Sequence, residues 1–237
     1  MLVEKRRDRF DGRRPAREPI FNIPDVLTVY VAIMVAIQAL RSWVLTVDQD
    51  RWLMFLGAFI PSRYLHPLAE QDAVGYFGGP VAYSLLHGGW AHLLSNSLFL
   101  VIFATPLAAR IGAARFTLLW VLSAIFSAFF LAVLSDFEDS YLVGASGVVS
   151  AMAGASCRFV VPLLGSDRMR AGRYAPRLGI LEAMMQRSVV VFVALWLIFN
   201  VVLAGVDSSQ NIAWQAHLGG FLFGYLTFSL FDPPLRH

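Results

Sequence analysis

One cysteine, Cys157, stands in the whole chain, so no internal disulfide can form and no cysteine-based metal centre is suggested. Lysine is as scarce, with Lys5 the single example and every other basic side chain an arginine. Charged residues make up 15% of the 237 positions, against about 25% in an ordinary soluble domain. Too little polar sequence remains to coat a soluble core. The net charge of +3 is not gathered into a basic, aromatic-interleaved patch, so nucleic acid is not an expected partner. No internal repeat is visible, which removes support for a transporter built from repeated halves. The absence of His-Glu-x-x-His removes the helical zinc-protease signature, and no metal or other cofactor is expected.

What the chain has in abundance is apolar sequence, at 57% hydrophobic residues. A bilayer core is crossed by about 20 apolar residues in a helix. On that criterion six segments qualify, at approximately 25–45, 88–109, 115–135, 145–163, 188–206 and 213–231. Asp25 can cap the first, Pro24 ends the tail before it, and Pro233 with Pro234 close the last. Cytoplasmic loops of membrane proteins are rich in Lys and Arg. Here the Arg-rich tail of residues 1–23, the connection holding Arg110 and Arg115, and the connection holding Arg168, Arg170, Arg173, Arg177 and Arg187 are basic. The intervening loops carry Asp48, Asp50, Glu70 and Asp72, then Asp136, Glu138 and Asp139, then Asp207. The expected fold is therefore all-α: a six-helix transmembrane bundle over 24–237, both termini cytoplasmic, with the lipid bilayer as its solvent. The loop 46–87 holds Trp52, Phe55, Phe59, Tyr64 and Tyr76, too apolar for a solvated linker, and is expected at the outer leaflet.

Polar groups inside a bilayer cost several kcal/mol unless paired or wetted, so each one in a span is a functional candidate. Three clusters stand at the outer ends of spans: His87, His92 and Asn96 in the second, Gly144-Ala-Ser146-Gly147 in the fourth, and Ala216-His217-Leu-Gly219-Gly220 in the sixth. His92 and Asn96, spaced i, i+4, leave one helix face. They suit either an interhelical hydrogen bond or a pair of donors for a developing oxyanion. Ser146 between small residues suits close packing or an exposed nucleophile, which needs a base. His217 is the leading candidate, and the stripe Ala216, Gly220, Gly224 would let its helix approach the fourth closely. No carboxylate is placed to orient the imidazole, so the spacing points to a dyad. Asn200 in span five is of a kind more often found packing helices than gating, and it is assigned no role.

Together, His87 with His92 and Asn96, Gly144-Ala-Ser146-Gly147, and Ala216-His217-Leu-Gly219-Gly220 resemble the rhomboid proteases across residues 81–231, in order and helix placement. The turn of Gly112, Arg115 and Phe116 is similar as well. That resemblance implies an intramembrane serine endopeptidase of the bacterial inner membrane, cutting transmembrane or membrane-proximal segments of other membrane proteins without metal or nucleotide. It implies Ser146 as nucleophile and His217 as general base. It also implies an oxyanion hole from His92, Asn96 and the Ser146 backbone N–H, with His87 as a structural or water-binding residue at the cavity mouth. The sequence departs from the family pattern in three places. Arg51-Trp52 stands for an adjacent Trp-Arg pair in reversed order, Ser150 replaces the usual aromatic residue four positions after the nucleophile, and Ala108 lies where an acidic residue is common. The competing readings are a rhomboid-like protein that binds client helices without cutting them, and a channel lined by His87, His92, Asn96 and His217. The oligomeric state is not encoded in any recognisable pattern.

Overall fold

The computed structural model describes residues 23–164, 175–206 and 213–232. Most of the basic tail, Arg168, Arg170, Arg173, Asp207, Pro233 and Pro234 lie outside the described residues, so their part of the topology argument stays an expectation. Among the described residues every regular element is helical: α1 (Asp25–Trp43), α2 (Val47–Gly57), α3 (Ala73–Ala82), α4 (Trp90–Leu134), α5 (Ser146–Ser156), α6 (Ile180–Met184), α7 (Arg187–Val206) and α8 (Trp214–Phe231). The nearest approach to a sheet is an isolated antiparallel bridge between Phe59 and Leu142. Among the described residues, two helices, α1 and α4, are long and apolar enough to cross a membrane by length and composition.

The first helix starts after Pro24, whose fixed φ suits a helix entrance, but Asp25 does not cap it: no side-chain hydrogen bond closes that end. Asp25 instead sits in the first turn, where a negative charge faces the positive end of the helix dipole. Helix α4 runs 45 residues and includes one non-helical residue, Gly112, at φ 78° and ψ 165°. A left-handed φ of that kind strains any residue with a β-carbon, so glycine marks the bend between an arm at 90–111 and one at 113–134. The expected fourth span is shorter as a helix than its apolar run. Helix α5 has 11 residues and gives way to turns and a 3₁₀ turn at Val161–Leu163, where Pro162 cannot donate to a continuing helix.

The segment 46–87 is mostly short helices and not an irregular loop. Thr46 and Gln49 form a reciprocal cap on α2, and Asp72 accepts from Gly75 N at the start of α3. Phe59 and Tyr83 from this segment are fully buried, whereas Trp52, Phe55 and Phe77 are exposed. One arginine ties the segment to the end of α1, and a second braces the segment internally. The Arg41 guanidinium, at the end of α1, donates to Asp50 Oδ1 at 2.6 Å and to the His87 carbonyl at 2.5 Å. Arg63 is 8% exposed and donates to the Phe55 carbonyl, its charge above the Phe55 ring. Arg51, by contrast, is an exposed surface residue paired only loosely with Asp48 at 3.8 Å. Arg63, not Arg51, is thus the structural arginine of this segment.

At the centre, α5 is enclosed by α4 and α8. The small-residue stripe lets α8 approach α5 until backbone meets backbone. A β-carbon at Gly220 would stand 1.9 Å from the Gly147 carbonyl oxygen, one at Gly224 1.9 Å from that of Ala151, and one at Gly154 2.2 Å from that of Phe221. At the other end of α8, Asp232 accepts from Arg110 at 2.6 Å and from Arg177 at 3.2 Å, with the Arg110 and Asp232 side chains 2% and 3% exposed. Arg110 is therefore a buried ion-pair member as well as part of the basic loop pattern. Arg158 bridges the same region, donating to the carbonyls of Tyr225 at 2.7 Å and Leu178 at 2.9 Å.

Candidate active site

The close contact of α5 and α8 sets the distance between the two residues the sequence singles out for nucleophilic chemistry. Ser146 opens α5, and its Oγ lies 2.8 Å from His217 Nε2 on the first turn of α8. Both side chains are half-buried. Backbone N–H groups in the first turn of a helix lack intrahelical partners, and that end of the helix dipole favours negative charge. The Ser146 N–H is one of these groups, so the hydroxyl stands beside a donor oriented out of the helix end.

The other ring nitrogen of His217 is engaged as well. Nδ1 lies 2.6 Å from Asn200 Oδ1 on α7, and the Asn200 amide nitrogen donates to the Trp196 carbonyl one turn earlier at 2.8 Å. Ser146, His217 and Asn200 thus form one hydrogen-bonded line across three helices. Asn200, assigned no role from the sequence, makes a specific contact here. Its only sequence signal is a lone amide in an apolar helix. Ser150 is 6% exposed and no hydrogen bond or ring contact joins it to His217 among the described residues.

Just before Ser146, the loop into α5 meets the start of α4. Gly144 has φ +116°, and its N–H donates to the Tyr83 carbonyl at 2.9 Å. A β-carbon built at Gly144 would meet His92 Cε1 and Nε2 at 2.7 Å and Asn96 Nδ2 at 3.4 Å, so all three groups crowd one point two residues before Ser146. His92 Nδ1 accepts from Gly88 N at 3.4 Å, which leaves the hydrogen of the neutral ring on Nε2, the nitrogen beside Gly144. Asn96 is 5% exposed, and its Nδ2 has no hydrogen-bond partner among the described residues. A buried donor left unpaired costs about 1–3 kcal/mol.

His87 lies in the loop just before α4 and is 1% exposed, enclosed instead of open at a cavity mouth. Its ring meets that of His92 edge-on at 5.2 Å. Burial, reinforced by the neighbouring His92 and Arg41, pushes the His87 imidazole down to about 3. It stays neutral at ordinary pH and walls the back of His92. Gly147 and Gly220 face each other in the helix contact directly beneath the serine. No group of three or more His, Cys, Asp or Glu side chains suited to a metal occurs among the described residues.

Residues 77–232 match the Rhomboid domain family. The chain belongs to the rhomboid family. It is similar to the protein named Rhomboid protease GlpG of Serratia proteamaculans (strain 568), at 30% identity over 149 residues, covering 62% of this chain and 45% of that relative. The chain spans less than half the length of that relative. The rhomboid match contains all three polar clusters and Asn200, and it leaves α1, α2 and the first part of the 46–87 segment outside.

Proposed function

We propose that this rhomboid-family chain is an intramembrane serine endopeptidase that cleaves transmembrane or membrane-proximal segments of other membrane proteins, with Ser146 as nucleophile and His217 as base. The observation that carries this reading is the 2.8 Å contact between Ser146 Oγ and His217 Nε2. Support also comes from an Asn96 amide donor that is buried and unpartnered among the described residues, and from the His92 imidazole Nε2, both beside Gly144 two residues before the serine. In this reading α1, the two arms of α4, α5 with its following turns, α7 and α8 are the six spans. Both termini face the cytoplasm of a bacterial inner membrane, and the site opens near the outer face.

A helical substrate segment hides each peptide carbonyl in an i to i−4 hydrogen bond, so it must unwind before attack. Segments with small or helix-breaking residues near the scissile bond are the favoured substrates. Ser146 Oγ adds to the carbonyl carbon as its proton passes to His217 Nε2. The resulting oxyanion is held by the Ser146 N–H, His92 Nε2–H and Asn96 Nδ2–H. His217 then gives its proton to the departing amine, and water, deprotonated by the same nitrogen, releases the acyl group from Ser146. No metal or cofactor takes part in this reaction.

Labelling of detergent-solubilised protein with a fluorophosphonate tests the proposal. Wild type is expected to label, and Ser146→Ala and His217→Ala to remain unlabelled. A folded wild type that does not react would sink the protease reading and bring client-helix binding without cleavage to the front.

A further inference from the structure

We infer that Asn200 is the positioning residue of the base, holding the His217 imidazole in the one tautomer and orientation in which Nε2 can take the serine proton. The inference rests on the protease reading above and deepens it. Asn200 Oδ1 lies 2.6 Å from His217 Nδ1, and Asn200 Nδ2 donates to the Trp196 carbonyl at 2.8 Å. The second contact decides the first. With the amide turned over, its oxygen would face the Trp196 carbonyl oxygen, two acceptors without a hydrogen between them. The oxygen therefore faces His217, and an oxygen without hydrogens requires Nδ1 to be the protonated nitrogen. In the neutral ring this leaves the lone pair on Nε2, the atom 2.8 Å from Ser146 Oγ.

Three features make this contact more than a packing bond. Position 150, where the family pattern has an aromatic ring, is a serine here, and no ring stacks on the His217 imidazole among the described residues. No carboxylate contacts His217 among the described residues. An amide is also the orienting group that suits a low-dielectric site, because it accepts from Nδ1 without introducing a buried anion that would need its own counter-charge. When Nε2 takes the serine proton, Nδ1–H stays on its nitrogen and its bond to Oδ1 becomes charge-assisted. The third member of the line thus supplies orientation and a dipole, and no proton moves to it.

The test combines ¹⁵N-histidine spectra with fluorophosphonate labelling rates for wild type, Asn200→Leu and Asn200→Asp. The His217 signals are identified by their loss in His217→Gln. Wild type should show a protonated Nδ1 and an unprotonated Nε2. Asn200→Leu keeps the volume and loses the acceptor. It should mix the two tautomers and label at least roughly 100-fold more slowly, on the scale of a general base's contribution. Asn200→Asp keeps the acceptor and should restore the Nδ1–H signature and most of the labelling rate, which a role in packing alone would not require. Labelling of Asn200→Leu within about threefold of wild type, or an unprotonated Nδ1 in wild type, would overturn the inference while leaving the protease reading intact. Wild type that fails to label overturns both.

Discussion

The imidazole of His92 fills the space that a side chain at Gly144 would need, since a β-carbon there meets His92 Cε1 and Nε2 at 2.7 Å. The backbone at Gly144, with φ +116°, adds a second reason for glycine. Gly144→Ala should therefore displace His92 and lower the cleavage rate about 100- to 1000-fold, the loss of one oxyanion donor. Paired measurements of rate and thermal stability check it. A rate within threefold of wild type in a folded variant would separate Gly144 from the site.

His92→Ala and Asn96→Ala each remove one proposed donor and leave the Ser146 and His217 contact in place. Each should cost about 100- to 1000-fold in cleavage rate without abolishing it. Fluorophosphonate labelling should fall less in Asn96→Ala than in His217→Ala. Normal turnover in both variants would remove the oxyanion assignment.

Gly224→Val would drive a branched side chain into the Ala151 carbonyl, which a β-carbon alone would approach to 1.9 Å. Overpacking against side chains costs about 1–3 kcal/mol, and a backbone atom yields less readily. Loss of the folded state in detergent, read by thermal denaturation or protease resistance, is the expected result. Leu226→Val, at an exposed position two residues on, should leave the melting temperature within a few degrees.

His87 predicts a dependence on pH. Its folded value of about 3 lies below the ordinary histidine value of 6.5, mainly through burial, with His92 and Arg41 adding to it. Between those values the unfolded chain binds a proton that the folded chain does not. Stability contributed by this group is thus full above about pH 6.5 and falls by up to about 1.4 kcal/mol per unit as the pH drops toward 3. In His87→Gln the acid slope should flatten by that amount, as melting temperatures across the range would show. An unchanged slope would mean that His87 is not buried neutral.

The three polar clusters were legible because each is a short run of polar or small residues interrupting an apolar segment, and that contrast survives in one dimension. Asn200 was not. A lone amide in α7 gives no sign that its partner is a histidine 17 positions later on another helix. The buried arginine of the 46–87 segment was not legible either: nothing beside Arg63 in the sequence sets it apart from Arg51, and its burial comes from the fold of the segment around it. The fourth apolar segment read as a full span because hydropathy does not register that Pro162 and the turns after Ser156 end its helix early. The capping role expected of Asp25 failed on geometry that composition does not carry.

The α5 and α8 contact has a consequence for how this molecule tolerates change. Because main chain rests on main chain at Gly220 and Gly224, the spacing of Ser146 and His217 is set by the thickness of two polypeptide backbones and not by the fit of side chains. Sequence can therefore drift widely on the outward face of α8, where Leu226 and Leu230 are exposed, without altering the reach of the base. Tolerance is wide in the surface and nearly nil along a single line of glycines, and a mutational scan of α8 should record a sharp one-sided periodicity instead of a gradient from core to rim.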